Sequence, residues 1–178
     1  TQALSAPDLA STLQHRAVHV LAIGKAAPFM ASACAAALPR PPASALVVGT
    51  HCPIALPAGF SWMRAAHPVP DQSSEAAARR ALDLARGAGE DDVVLVLVSG
   101  GASALLALPR PGLSLADKQA ATRQLLLGGA DIGSLNTVRK HLSAVKGGQL
   151  AAAVRGRTLA LVVSDVVSDD LSVIGSGP

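Results

Sequence analysis

Four short stretches of this chain combine charge or hydroxyl groups with small residues in a way that suits the handling of anions. Gly24-Lys25 follows the apolar run VHVLAI, and a lysine there stands close to the positive end of the helix that would come next. A cation is locally unfavourable in that place, unless it shares a phosphate or carboxylate with the free amides of the helix. Ser99, Gly100, Gly101, Ala102 and Ser103 place two hydroxyls around adjacent glycines, so the backbone can approach a ligand closely. The third stretch is NTVRKHLSAVKGGQLA, residues 136 to 151, with Asn136, Arg139, Lys140, His141 and Lys146 ahead of paired glycines. On a continuous helix Arg139, Ser143 and Lys146 fall within roughly 60° of one another, beside an apolar stripe of Val138, Leu142 and Val145. Lys140 lies on the other side. The fourth is SDVVSDD, where Ser164-Asp165 follow a buried run and Asp169 comes one loop later, a placement that lets carboxylates hold Mg²⁺ while it touches substrate phosphates. The plainer alternatives are a solvated helix face, an ordinary tight turn and a capping aspartate.

The elements that must position these groups are legible as alternating strands and helices. Val18–Ile23, Ala45–Gly49, Val93–Val98 and Leu159–Val163 are short, continuous apolar runs of the kind buried on both faces, and are predicted as parallel strands. Between them, helices are predicted over Ala26–Leu38, Ser74–Ala88, Leu115–Leu127 and Thr137–Val154. Asp71, Ser73 and Ser74 precede the second, and Ser114 with Asp117 makes a capping box for the third. A short apolar helix is expected directly after the SGGAS turn. The pattern implies an α/β fold, a Rossmann-like parallel sheet with helices on both faces, in which ligands collect beyond the carboxyl ends of the strands.

Composition narrows the classes further. The 178 residues suit one domain, and half of them are apolar. With two Phe, one Trp and no Tyr, the core must be built from Ala, Val and Leu. A net charge of +3 with acidic residues interspersed does not call for nucleic acid. Residues 41–63 are uncharged but interrupted by Pro41, Pro42, Pro53 and Pro57, and Ser99-Gly100-Gly101 divides the uncharged run from Val93, so no membrane span is expected. Cys34 and Cys52 fit neither a disulfide framework nor a CxxC metal site, so a reducing cytoplasm is the default. Neither GxxxxGK[ST] nor GxGxxG occurs, which argues against a Walker or dinucleotide site. His67 in HPVPD reads as part of a proline turn, and His15, His19 and His51 show no partner pattern.

Taken in order, GKA, HPVPD, SGGASALL, NTVRKHLSAVKGG and SDVVSDD with the terminal SGP resemble the amino-terminal domain of the class II glycerate kinases, the glycerate 2-kinase family whose second domain is called MOFRL. The resemblance runs from about Val18 to Pro178, and departs at Ser168 and Gly175, where glycine and alanine are usual. It implies ATP-dependent phosphorylation of D-glycerate to 2-phosphoglycerate in a cleft between two domains, with ATP, Mg²⁺ and D-glycerate as ligands and a homodimer left open. It further implies that Lys25, the SGGAS loop, Asn136, Arg139, Lys146 and Asp165 face that cleft. On this reading residues 1–178 are a truncated domain without MOFRL, with a short or absent opening helix and no activity alone. Relatives of this kind also carry the label hydroxypyruvate reductase, so an NAD(P)H-dependent reductase is the second reading and a non-catalytic anion-binding fragment the third.

Overall fold

The computed structural model describes residues 7–163. Five strands, β1 (Val18–Ile23), β2 (Ser44–Gly49), β3 (Phe60–Arg64), β4 (Val93–Val98) and β5 (Arg157–Val162), form one sheet in the order β3-β2-β1-β4-β5. Every neighbouring pair is parallel. The helices are α1 (Pro7–His15), α2 (Ala27–Ala37), α3 (Gln72–Gly87), α4 (Ala102–Leu105), α5 (Leu115–Leu127), α6 (Ile132–His141) and α7 (Gln149–Ala152). Chain order runs outward from β1 through β2 to β3, then returns to β4 on the other side of β1. The carboxyl ends of β1 and β4 therefore flank the point where strand order reverses, the place at which open α/β sheets bind ligands.

Side chains of a strand alternate between faces, and the two apolar cores follow that period. Val18, Val20 and Ala22 of β1 and Val93, Leu95 and Leu97 of β4 pack with Leu13 of α1 and Ala27, Ala31 and Cys34 of α2. Leu21, Ile23, Val94, Val96 and Val98 face the other way, onto α3, Leu105 of α4, Val145 and Leu150 of α7. Helices thus cover both faces, as the continuous apolar strands require. Ala77, Ala78, Ala81 and Ala85 bring α3 close to the sheet, which is how a chain with so few aromatics fills its core. Leu95 is fully buried, and truncating it to Ala would cost about 2–5 kcal/mol.

Three features bear on the sequence expectations: two differ, and one, a short opening helix, agrees. The edge strand β3 begins in the uncharged 41–63 segment and ends on Arg64; its sequence FSWMR lacks a β-branched residue and stays half exposed. The opening helix is present as the nine residues of α1. The predicted helix Thr137–Val154 is two helices: α6 starts earlier, at Ile132 behind an Asp131 cap, and ends at His141. Ser143 then makes a bridge to Pro109, and Gly147 and Gly148 take φ of 64° and 81°, left-handed conformations that interrupt a helix before α7. Arg139, Ser143 and Lys146 accordingly do not share one helical stripe.

Candidate anion-binding site

The end of β1 and the end of β4 are locked together through Ser99. Its backbone N–H donates to Ile23 O, and its Oγ accepts from Ala26 N at 3.1 Å. Lys25 N donates to Gly100 O at 2.9 Å. Gly24, at φ 125°, must be glycine: a Cβ there would collide with the side chain and carbonyl of Ser99. Gly101, at φ 91°, forms the N-cap of α4, and a Cβ on it would meet the His67 ring at 3.1 Å and Lys25 Cγ at 3.5 Å. Lys25, His67 and the SGG turn therefore meet at one point. Burial and the charge of Lys25 hold the His67 imidazole below its ordinary range, which favours the neutral ring.

Two helix starts beside the SGG turn lack side-chain caps. Helix α2 begins without a side-chain cap and without an acidic residue in its first turn, with a proline at its start and exposed Lys25 just ahead. The four-residue α4 likewise has no side-chain cap. By contrast α3 and α5 carry full capping boxes from Asp71 and Ser114, as expected, and Asp131 caps α6. At α2 the leading amides are already used, Lys25 N on Gly100 O, Ala26 N on Ser99 Oγ and Ala27 N on Gly24 O, so the capacity for an anion lies with the Lys25 ammonium and the SGG turn.

Two kinds of recess open around the SGGAS turn. Lys25, Thr50, His51, Arg64 and His67 line an open groove at the ends of β1 and β2. Next to it, a cavity of about 310 Å³ is lined by Pro68, Val69 and Pro70, by Ser103 and Ala107, by Lys118, Gln119, Thr122, Arg123 and Leu126 of α5, and by Arg139 and Lys146. The segment HPVPD is the ridge between them, with His67 on one side and Pro68 to Pro70 on the other. It is pinned from two directions: buried Ser74 Oγ accepts from Ala66 N at 3.1 Å, and Gln119 Nε2 donates to Pro70 O at 2.7 Å.

The cavity is cationic. Lys146 is 3% exposed and Lys118 5% exposed. Burial, then the charge of Arg139, lowers the Lys118 ammonium to about 8. Lys146 is driven well down by burial and by Lys118 and Arg139, and burial also lowers Arg139. Asn136 is buried on α6 one turn before Arg139, and Ser103 sits on the turn between groove and cavity.

The structure thus brings Arg139 and Lys146 together, though through a turn rather than the continuous helix predicted for them. Lys25 with Ser99, Gly100 and Gly101 lies beside the neighbouring groove. Ser164, Asp165 and Asp169 lie outside the described residues. Among the described residues no group of three or more His, Cys, Asp or Glu is placed to hold a metal, so the Mg²⁺ expectation rests on Asp165 and Asp169. Also among them, no helix is long and apolar enough to cross a membrane. Cys34 and Cys52 are unpaired.

Sequence reasoning missed Lys118 and set His67 aside. A signal for Lys118 existed: Leu115, Lys118, Thr122 and Leu125 share a helical stripe, and a lysine on the less exposed face of a helix is a residue with a task. His67 gave no local signal, because its partners Gly101 and Lys25 are remote in sequence.

A family model described as a domain of unknown function, DUF4147, matches residues 2–178. The D-glycerate 2-kinase of Thermotoga maritima is 45% identical over 163 residues, covering 90% of this chain and 39% of that protein. A protein of Agrobacterium vitis provisionally named a hydroxypyruvate reductase is 47% identical over 161 residues, 89% of this chain and 36% of its own. The crystal structure of a glycerate kinase from Thermotoga maritima superposes with a TM-score of 0.86 at 42% identity, covering 96% of this chain and 42% of that one. The chain therefore spans roughly two-fifths of the length of the relatives it matches.

Proposed function

The chain belongs to the DUF4147 family, and from that premise we propose that its carboxyl edge serves the ATP-dependent phosphorylation of D-glycerate to 2-phosphoglycerate. The observation that carries this reading is the gathering of cations with no described carboxylate among them, Lys25 on one side of the SGGAS turn and Arg139 and Lys146 on the other, where the strand order reverses. The kinship with the Thermotoga maritima D-glycerate 2-kinase supports the choice of substrate.

Phosphoryl transfer asks a protein for positioning and charge neutralisation more than for covalent chemistry. The glycerate hydroxyl oxygen bonds to the γ-phosphorus of ATP, the bond from that phosphorus to the ADP oxygen breaks, and the hydroxyl proton leaves. In our reading Lys25 and the open amides at Gly100, Gly101 and Ala102 hold phosphoryl oxygens, with Ser99 fixing the turn and Ser103 at its rim. Arg139 and Lys146, with Asn136 buried behind them, hold the glycerate carboxylate or the transferred phosphate. Ser164 joins the phosphate-binding groups, and Asp165 with Asp169 would take up the hydroxyl proton or provide oxygen ligands for Mg²⁺, which would neutralise the phosphates. A second wall, supplied by the additional length that the relatives have, is needed to exclude water and align donor with acceptor.

The reductase reading has the Agrobacterium vitis name in its favour, and the missing dinucleotide fingerprint against it. One preparation, with this chain in a protein of its relatives' length, separates the two when ADP release with D-glycerate and NADH loss with hydroxypyruvate are followed in parallel. The kinase reading expects the first and not the second. NADH consumption without ADP release would overturn it.

A further inference from the structure

Lys118 is the residue whose position the proposed reaction leaves unexplained. Its Nζ is buried and has no hydrogen-bond partner among the described residues. The usual accommodations for a lysine do not apply among the described residues: it does not snorkel to water, and no described Asp or Glu lines the cavity it shares with Arg123, Arg139 and Lys146. Two of these four cations are nearly inaccessible, and mutual repulsion among them works against the packing of α5 on α6. A cluster of this kind is stabilised by something that brings negative charge into it.

We propose that the cavity between α5, α6 and the HPVPD ridge is a binding site for a phosphate dianion, free or as the monoester of a small molecule, with Lys118 as one of its ligands. Three cations ask for more than the single negative charge of a carboxylate, and a tetrahedral oxyanion offers acceptors in several directions at once. That suits two ammonium groups with three donors each and a planar guanidinium fork. The volume of about 310 Å³ is at the small end of ligand pockets, enough for a phosphate and a short carbon skeleton but tight for a nucleotide. Pro68, Val69, Ala107 and Leu126 give it apolar walls that strengthen charge pairing inside. The inference rests on the phosphoryl-transfer reading only for the carrier of the phosphate, a small phosphorylated hydroxy acid; the phosphate site stands without it. Occupancy would also return the depressed Lys118 ammonium towards its ordinary range, so binding near pH 8 should take up protons.

Inorganic phosphate is the probe, titrated calorimetrically into the 178-residue chain at constant ionic strength, with chloride and D-glycerate as comparison anions. We expect saturable binding at one site and proton uptake at pH 8, seen as a dependence of the heat on the buffer. D-Glycerate should bind at least tenfold more weakly. Lys118→Met should weaken phosphate binding at least tenfold, and Lys140→Ala should leave it unchanged. If Lys118→Met fails to fold, Lys118→Arg serves instead: charge is kept, phosphate still binds, and the proton uptake falls to the part that belongs to Lys146. Phosphate binding that survives Lys118→Met, no binding beyond that of chloride, or glycerate bound as tightly as phosphate would each overturn the proposal. No turnover enters the titration. A protein that binds phosphate through Lys118 but releases no ADP would refute the kinase reading alone, and the reverse outcome would refute this site alone.

Discussion

The two edges of the sheet treat charge in opposite ways. At the amino edge, His19 on β1 sits between Ser44 at the start of β2 and Asp92 just ahead of β4, with Nδ1 2.8 Å from Ser44 Oγ and Nε2 3.1 Å from Asp92 Oδ2. Gly89 N donates to the same carboxylate at 2.7 Å, and Arg16 Nη1 donates to Asp91 O at 2.9 Å. His19, Asp92 and Arg16 each meet a partner within the chain. At the carboxyl edge Lys25, Lys118, Arg139 and Lys146 gather without a described carboxylate between them, and α2 and α4 begin uncapped. A satisfied edge holds strands in register; an unsatisfied edge of one sign is stable only at the expense of folding energy, and such expense is characteristic of binding sites.

The largest effect should come from Lys25. In a protein of the relatives' length, Lys25→Ala should reduce phosphorylation at least about a hundredfold, the scale for losing one preorganised charge at a developing anion. The melting temperature should hardly move, because exposed Lys25 makes no contact on which the fold depends. ADP release and thermal unfolding measure the two halves of that statement, and near-normal turnover would erase the contrast between the edges.

The amino edge should answer in the opposite sense. Asp92→Ala leaves His19 and Gly89 without their acceptor and should lower stability by about 1–2 kcal/mol in urea unfolding, with phosphate binding intact. The Gly89 amide and then His19 hold this carboxyl below its ordinary value. Its contribution is therefore fully present above the unfolded value near about 4 and is lost as pH falls through the lower folded value. The stability difference between parent and variant should shrink below about pH 4, and a difference that persists unchanged there would mean the carboxylate is not what His19 and Gly89 require.

Most of the scaffold was legible because it is local. Continuous apolar runs named four of the strands, and Asp71 and Ser114 announced α3 and α5 within one or two residues of their observed starts. What escaped depends on tertiary context. Strand β3 has no strong pattern of its own and is defined by pairing with β2. The break after His141 is set by Ser143 pairing with Pro109, across 34 residues of sequence, and by Gly147 and Gly148, whose left-handed φ interrupts the helix. The site was legible in its cations but not in their grouping: Lys118 joins Arg139 and Lys146 only because α5 packs on α6, and His19 found Ser44 and Asp92 only when three strands were laid side by side.

Smaller effects sharpen the comparison. Arg139→Lys keeps charge but loses the planar fork, so substrate or phosphate affinity should fall severalfold, whereas Lys140→Ala should be silent. Equal small effects at both positions would return this stretch to a solvated face. Lys118 gives the subtlest signature. Its folded value of about 8 lies below the ordinary 10.5, so the unfolded chain holds that proton more tightly and stability should rise with pH between those values. Lys118→Met should reduce the rise, leaving the part of the same sign that comes from Lys146. Subtracting the variant's profile from the parent's cancels buried Cys34, whose thiol is pushed up to about 11 and contributes the opposite slope above about 9. A flat difference between pH 8 and 10.5 would place Lys118 in contact with water or an unseen partner.

The contrast between the edges is tested most directly by hydrogen exchange of the backbone amides, with and without Mg-ADP and phosphate. The account predicts added protection at Lys25 to Ala27, at Gly100 to Ser103 and at the turn around Lys146, with unchanged exchange at His19, Ser44 and Asp92. Protection that appears at the amino edge instead, or nowhere, would contradict it.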